Sequence, residues 1–362
     1  MDSLTQAALG AAVGGTVLGR RLGRKAIVIG ALLGTLPDLD VVLDYGDAVA
    51  NVTEHRGFSH SLFVLTGLAS LLALLCRRFA PARDISLGRW WTFFVLCLVT
   101  HPLLDALTTY GTQLWWPLDV APVAYPIVFI IDPLYTLALL GGLLAALVGG
   151  RVHRASAWGL ALACAYLLFA AGAKLSVEQR LAPVLAAQGL ESAPRLVQPT
   201  PFNTLVWRAT VIDGDDHYEA LVGLFDGAAE PSLERYRRGA EWEPLAQSHP
   251  RGERLAWFAG PFLRYETLDW EGQETLIATD LRLGFPGFHP FAFTLATRGG
   301  EGEGEAWQPV AESEQLASPY QANGDRRQAL RRLAARLRGP EPPLCTSHFV
   351  ASEWVVEAPG HC

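Results

Sequence analysis

The sequence predicts an α-helical membrane bundle of about six spans followed by a soluble α+β domain with an antiparallel sheet. Three observations carry this. Half of the 362 residues are hydrophobic and only 18% are charged, yet most of the charges fall after about Ser176. Long, nearly uncharged stretches fill the first half. Beyond Val177 the pattern shifts to short apolar runs broken by Gly, Pro and Asp. The division expected is therefore a bundle over residues 1–176 and a soluble domain over residues 177–362.

Leu4–Gly19 and Ala26–Leu36 are short and rich in Gly and Ala. Small residues let helices approach closely, so both read as helices buried within the bundle. Ser61–Cys76, Trp90–Ala106, Ile127–Gly149 and Ser156–Ala173 each come close to the roughly 20 residues a bilayer requires. No basic segment precedes the first apolar run, which argues against a signal peptide. The connecting loops alternate in charge. Arg20, Arg21, Arg24 and Lys25, then Arg77, Arg78, Arg83 and Arg89, then Arg151 and Arg154 fall on one side. Asp38–Ser59 and Thr108–Pro126 contain only Arg56 as a basic residue. The positive-inside rule then puts both termini, and the soluble domain, outside the cytoplasm. Trp90, Trp91, Trp115 and Trp116 suit the interfacial belts.

A formal charge of −7 without a large basic patch argues against nucleic acid as a partner. The bilayer itself is the expected partner. Cys76, Cys97 and Cys164 lie in spans and read as packing residues. Cys345 and Cys362, in the tail of the soluble domain, could pair outside the cytoplasm.

Polar groups are costly in membrane segments, so their positions are informative. Pro37-Asp38-Leu39-Asp40 ends the second span, and residues two apart on an extended chain share a face. His55-Arg56-Gly57-Phe58-Ser59-His60 enters the third, with Ser59 expected as the helix N-cap. His101 and Asp105, four apart, share one helical face. Asp132-Pro133 places a lone acid early in the fifth span, as an outer ligand or a hydrogen-bond partner of one. Under the topology above all four clusters meet at one membrane face.

A single membrane histidine is more often a packing residue than a ligand, and Asp-Leu-Asp is common in loops. Together the expected ligands Asp38, Asp40, His55, His60, His101 and Asp105 suit one or two divalent transition ions, Zn²⁺ first, with Mn or Fe as other choices. Asp38 or Asp40 could bridge two ions. Arg56 has the planar fork that pairs with phosphate or carboxylate. No separate general base is evident, which leaves that role to an aspartate. Asp40 and Arg56 are the expected catalytic residues. His153, His217, His249, His289, His348 and His361 show no paired spacing.

Met1-Asp2-Ser3-Leu4-Thr5-Gln6, Gly34-Thr35-Leu36-Pro37-Asp38-Leu39-Asp40, His55-Arg56-Gly57-Phe58-Ser59-His60-Ser61 and Thr100-His101-Pro102-Leu103-Leu104-Asp105, in that order, resemble the YdjM-like family. The likeness covers about the first 180 residues. It implies a bacterial inner-membrane protein and a metal-dependent hydrolase, with little guidance on substrate. Family members often carry Thr-His where this chain has Thr5-Gln6; if that His is a ligand elsewhere, this chain lacks it, with Asp2 or Gln6 the residues that could compensate. The His-x-x-x-Asp of His101 and Asp105 is also similar, over a short stretch, to the helical pair of zinc-dependent phospholipase C. That likeness implies a lipid or phosphoester substrate.

In the soluble domain Leu181–Leu196 reads as a linker or short helix. Thr204–Ile212 and Tyr218–Phe225 flank Asp213-Gly214-Asp215-Asp216, a hairpin signal that also accounts for the acids without Ca²⁺. Leu255–Phe262, Glu274–Leu283 and Phe291–Thr297 are further strand candidates, Arg298–Gly304 is a loop, and Arg326–Arg338 a basic helix. The leading functional expectation is a metal-dependent hydrolase of an ester or phosphoester in a lipid or periplasmic substrate. The alternatives are a metal or ion transporter using the same cluster and a non-catalytic scaffold knitted by it.

Overall fold

The computed structural model describes residues 1–80, 84–299, 306–316, 326–340, 343–360 and 362. Arg83, residues 300–304 of the Gly/Glu-rich loop and His361 lie outside them.

In chain order the first part forms α1 (Ser3–Leu22), α2 (Arg24–Thr35), α3 (Ala48–Glu54), α4 (Leu62–Phe79), α5 (Leu87–Asp105), α6 (Pro133–Gly149) and α7 (Val152–Ala187). Among the described residues α4, α5 and α7 are long and apolar enough to cross a membrane, and α6 is a shorter apolar helix. Helices of that length and apolarity are thus fewer than the six spans expected. The Ile127–Gly149 stretch helps explain the shortfall: its helix starts only at Pro133, because the Ile127 and Val128 amides turn back to the Leu107 carbonyl.

The helix ends follow local chemistry. Asp2 caps α1 by accepting from the Thr5 amide, and Ser86 caps α5 by accepting from Arg89. Ser61, not Ser59, caps α4. Ser59 lies in a preceding 3-10 turn, Phe58–His60, where its hydroxyl is drawn to Asp40 instead. Asp132 caps α6, accepting from Leu134 and Tyr135 amides and from the Tyr166 hydroxyl, which occupies the lone acid.

Backbone contact joins α1 to α2. A Cβ at Gly10 would lie 2.2 Å from the Gly30 carbonyl oxygen, and one at Gly34 only 2.5 Å from that of Gln6. No other residue type permits this approach. Around it the bundle core gathers Leu9, Val13 and Leu18 with Phe93, Leu98, Leu139 and Leu143.

The chain divides into two compact units: Met1–Leu43, His55–Gly172 and Pro201–Asn203 form one, and Asp44–Glu54, Ala173–Thr200 and Thr204–Cys362 the other. In the second, α7 continues through Pro183 to Ala187, so the first part of the stretch expected as a linker or short helix is the end of a long helix. Val177, Leu181 and Leu185 recur at helical spacing and bury against Trp207, Ala209, Val211 and Val222.

The remaining elements are antiparallel strands and short helices. β1 (Arg195–Pro199), β2 (Val206–Asp213), β3 (Asp216–Gly223) and β4 (Glu234–Arg237) are followed by α8 (Glu243–Gln247) and α9 (Pro250–Ala259). Then come β5 (Leu263–Trp270), β6 (Gln273–Asp280), β7 (Ala292–Arg298), β8 (Gln308–Pro309), β9 (Gln315–Leu316), α10 (Arg326–Arg336) and β10 (Val355–Glu357). One sheet runs β1-β2-β3-β4-β10, the other β5-β6-β7-β8 with β9 also on β7. The Asp213↔Asp216 pairing closes the expected hairpin. Leu255–Phe262 is mostly helix rather than strand, because Pro250 opens α9 and Leu255, Phe258 and Ala259 bury one helical face.

Helix α3, which lies in sequence between Asp40 and His55, packs in this second unit. Arg251 holds Asp47 at 2.5 Å, and Arg254 holds Glu54 at 2.7 Å while stacking over Trp257. Cys345 and Cys362 form a disulfide.

Candidate metal centre

Helix α5 supplies His101 and Asp105 from one face, one turn apart. The 3-10 turn Pro37–Val42 after α2 supplies Asp38, and the turn before α4 supplies His60. Four atoms converge: Asp38 Oδ1, His60 Nε2, His101 Nε2 and Asp105 Oδ2. The two imidazole nitrogens are 3.1 Å apart. His60 lies 3.5 Å from Asp38 and 3.3 Å from Asp105, and His101 lies 3.2 and 3.4 Å from the same atoms. Tetrahedral bonds of the length Zn²⁺ makes to N and O imply donor separations of about 3.3 Å. The five separations above are close to that value, and the remaining pair, Asp38 and Asp105, lies within 4.8 Å.

The hydrogen bonds behind the imidazoles assign their tautomers. His101 Nδ1 is 2.6 Å from the Gly34 carbonyl, which can only accept, so Nδ1 carries the proton. The Ser59 hydroxyl donates to Asp40 at 2.6 Å and so accepts from His60 Nδ1 at 2.8 Å. Both Nε2 atoms then present lone pairs toward each other and toward two carboxylate oxygens. Four electron-rich atoms facing one point, three of their side chains fully buried, are what a cation would satisfy. The close α1–α2 approach serves this arrangement, since it fixes the carbonyl that holds His101.

Of the six expected ligands, Asp40 and His55 stand outside this group. Asp40 organises the loop: its Oδ1 meets His55 Nδ1 at 3.0 Å, and its Oδ2 accepts from the Arg56 amide at 3.0 Å and from Ser59. Burial would push the Asp40 carboxyl up, but hydrogen bonds from His55 and Ser59 prevail and hold it below its ordinary value.

Arg56 is buried with its guanidinium Nε 3.4 Å from Asp105 Oδ2 and its face 4.9 Å from the Tyr110 ring. Its backbone φ of +62° is a conformation non-glycine residues rarely adopt. The bonds that secure it run from its amide to Asp40 and from the Gln113 amide to its carbonyl. Arg56 Nε and Nη1, Asp105 Oδ2 and Gln6 Oε1 are buried without hydrogen-bond partners. Gln6 donates to Asp105 Oδ1 at 3.0 Å and to the His101 carbonyl at 3.2 Å, and the Met1 amine also bonds Asp105 Oδ1.

Sequence reasoning passed over Tyr110, which backs Arg56 and meets the His55 ring edge-on at 5.7 Å. Nothing in its spacing marks it. The bridging role of Ser59 was hidden behind its resemblance to a cap.

The comparisons with known proteins concern the same region. Residues 1–177 match the YdjM inner membrane protein family. The inner membrane protein YbcI of Escherichia coli (strain K12) is 38% identical over 105 residues, 27% of this chain and 59% of that protein. YfhP of Bacillus subtilis (strain 168) is 28% identical over 157 residues, 41% of this chain and 47% of that protein. The chain thus spans about half to three-fifths of the length of these relatives. No solved structure matches. The His/Asp cluster lies wholly inside the matched segment, residues 1–177, the part of the chain that is similar to the YdjM inner membrane protein family.

Proposed function

We propose that this chain is a membrane-bound metal-dependent hydrolase acting on an ester or phosphoester, with its site at the extracytoplasmic face. The observation that carries this reading is the tetrahedral spacing of Asp38, His60, His101 and Asp105 around one point. A first-row divalent ion there, Zn²⁺ by its N/O donor set, would supply a Lewis acid and an activated water. Asp38, the least enclosed ligand, is the one whose place a water or substrate oxygen can share.

The surrounding residues have roles that follow from their contacts. Asp40 accepts a hydrogen bond from His55 Nδ1–H and orients the ring, leaving His55 Nε2 as a proton acceptor. Asp40 is then a positioning residue and His55 the general base. Arg56, ion-paired with Asp105 but with its Nε and Nη1 free of hydrogen bonds, is the anchor for a substrate oxyanion. The charge pattern of the loops supports the extracytoplasmic placement of the site and of the C-terminal unit.

One observation favours a second reading. Four protein donors make a closed shell, which is typical of structural ions, so the same site could simply tie α5 to the turns before α3 and α4. Assaying the purified full chain on p-nitrophenyl phosphodiester and carboxylester probes separates the two. The hydrolase reading expects metal-dependent turnover that falls about 100-fold in His55→Gln with metal content unchanged. Bound metal with no turnover of either class would leave the structural reading.

A further inference from the structure

The metal-site reading leaves open how a substrate arrives, and the burial of the ligands restricts the answer. The side chains of His60, His101 and Asp105 are 0–1% exposed, whereas that of Asp38 is 19% exposed. Approach is therefore past Asp38. In the turn that carries Asp38, Asp38 faces the donors and Asp40 is buried against His55, while Leu39, Val41 and Val42 face out, the two valines 72% and 78% exposed. Across from it Phe58, in the turn bearing His60, is exposed and packs edge-on to exposed Trp116.

A mouth walled by solvent-facing valines and aromatics would be costly in water. It is continuous with a surface that does not face water. Phe63, in the first turn of α4, meets Trp115 at 6.2 Å, and below it Leu71, Leu74 and Leu75 are exposed along a helix long and apolar enough to span. In an inner membrane protein that helix face lies against acyl chains, so the apolar mouth joins the lipid surface. Inside the mouth the chemistry changes sign. Arg56, 3% exposed and ion-paired with Asp105, has its Nε and Nη1 free of hydrogen bonds beside the His/Asp donors.

We infer that the site opens sideways to the bilayer and takes a membrane-resident lipid with an anionic, phosphate-type headgroup. The acyl portion lies on Leu39, Val41, Val42 and Phe58, and the headgroup reaches past Asp38 toward Arg56. A water-soluble phosphoester lacks the part that the mouth is built to receive. This inference rests on the metal-site reading, and it is tested by binding so that the two can fail separately.

The experiment is native mass spectrometry of the metal-loaded full chain released from detergent, with phosphatidylglycerol, phosphatidylcholine and sn-glycerol 3-phosphate as probes. Val41→Ser/Val42→Ser serves as the variant, since both side chains are exposed and no ligand is touched. Phosphatidylglycerol should be retained at least about tenfold more tightly than either other probe. The double variant should lose about tenfold of that affinity with its metal content unchanged. Equal retention of glycerol 3-phosphate or of phosphatidylcholine would overturn the inference, as would unchanged retention by the variant. Absence of metal from both proteins, measured separately, would instead remove the metal-site reading.

Discussion

The substitution Gly34→Ala should weaken metal binding although Gly34 supplies no ligand. A Cβ at this position would lie 2.5 Å from the Gln6 carbonyl oxygen and 3.0 Å from Gly10 Cα, both backbone atoms that cannot swing aside. Ordinary contact begins near 3.4 Å, so α1 and α2 must separate locally by about 0.9 Å. The Gly34 carbonyl that receives His101 Nδ1 at 2.6 Å moves with them, as does Gln6, which holds Asp105. Displacing the outer hydrogen bond of a metal-bound imidazole costs about 10–100-fold in affinity. Competition of a chromophoric chelator for Zn²⁺, with the visible spectrum of the Co²⁺ form as a second readout, measures the loss. Gly67→Ala in α4 is the control, because a Cβ there meets nothing within 4 Å. Unchanged affinity and an unchanged Co²⁺ spectrum in Gly34→Ala would refute the link between the helix contact and the site.

Asp132→Ala should cost about 1 kcal/mol of stability through loss of the α6 cap, with metal content untouched. A metal-free variant that still folds would show Asp132 acting on the site after all. The second unit should lose stability in acid. Burial among Arg208 and Arg264 keeps His217 and His289 neutral, the latter down to about 3. The unfolded chain protonates both near the ordinary value of 6.5 and so binds more protons, and stability falls as pH drops below it. The slope is on the order of 1 kcal/mol per pH unit for each imidazole, offset in part by Glu219, whose carboxyl burial pushes up. Hydrogen exchange of β2 and β3 amides in the full chain between about pH 7 and pH 5 reads this slope, and a flat profile contradicts it.

The His101/Asp105 pair on α5 was legible because a helix fixes which side chains share a face, and four-residue spacing needs nothing further. The same holds for the hairpin at Gly214, where turn chemistry is local. The separation of Asp38 from Asp40 was not legible. Two apart on a strand they would point together, but Pro37 turns the chain into a 3-10 helix, so Asp38 faces the donors and Asp40 faces His55. Leu255–Phe262 failed for a related reason: a short apolar run carries no period of its own, and Pro250, several residues earlier, decides for helix. The length of α7 depends on what Leu181 and Leu185 bury against, and only the sheet supplies that. The membership of α3 in the second unit rests on Arg251 and Arg254, some 200 residues away in sequence.

If Asp38, His60, His101 and Asp105 hold an ion, the purified chain carries it. Elemental analysis of the purified, detergent-solubilised full chain, beside a His60→Ala/His101→Ala variant, tests it most directly. About one equivalent of a transition metal is expected in the native chain and none in the folded variant, since one set of four donors holds one ion. No metal in either protein after loading with Zn²⁺ or Mn²⁺ would contradict it.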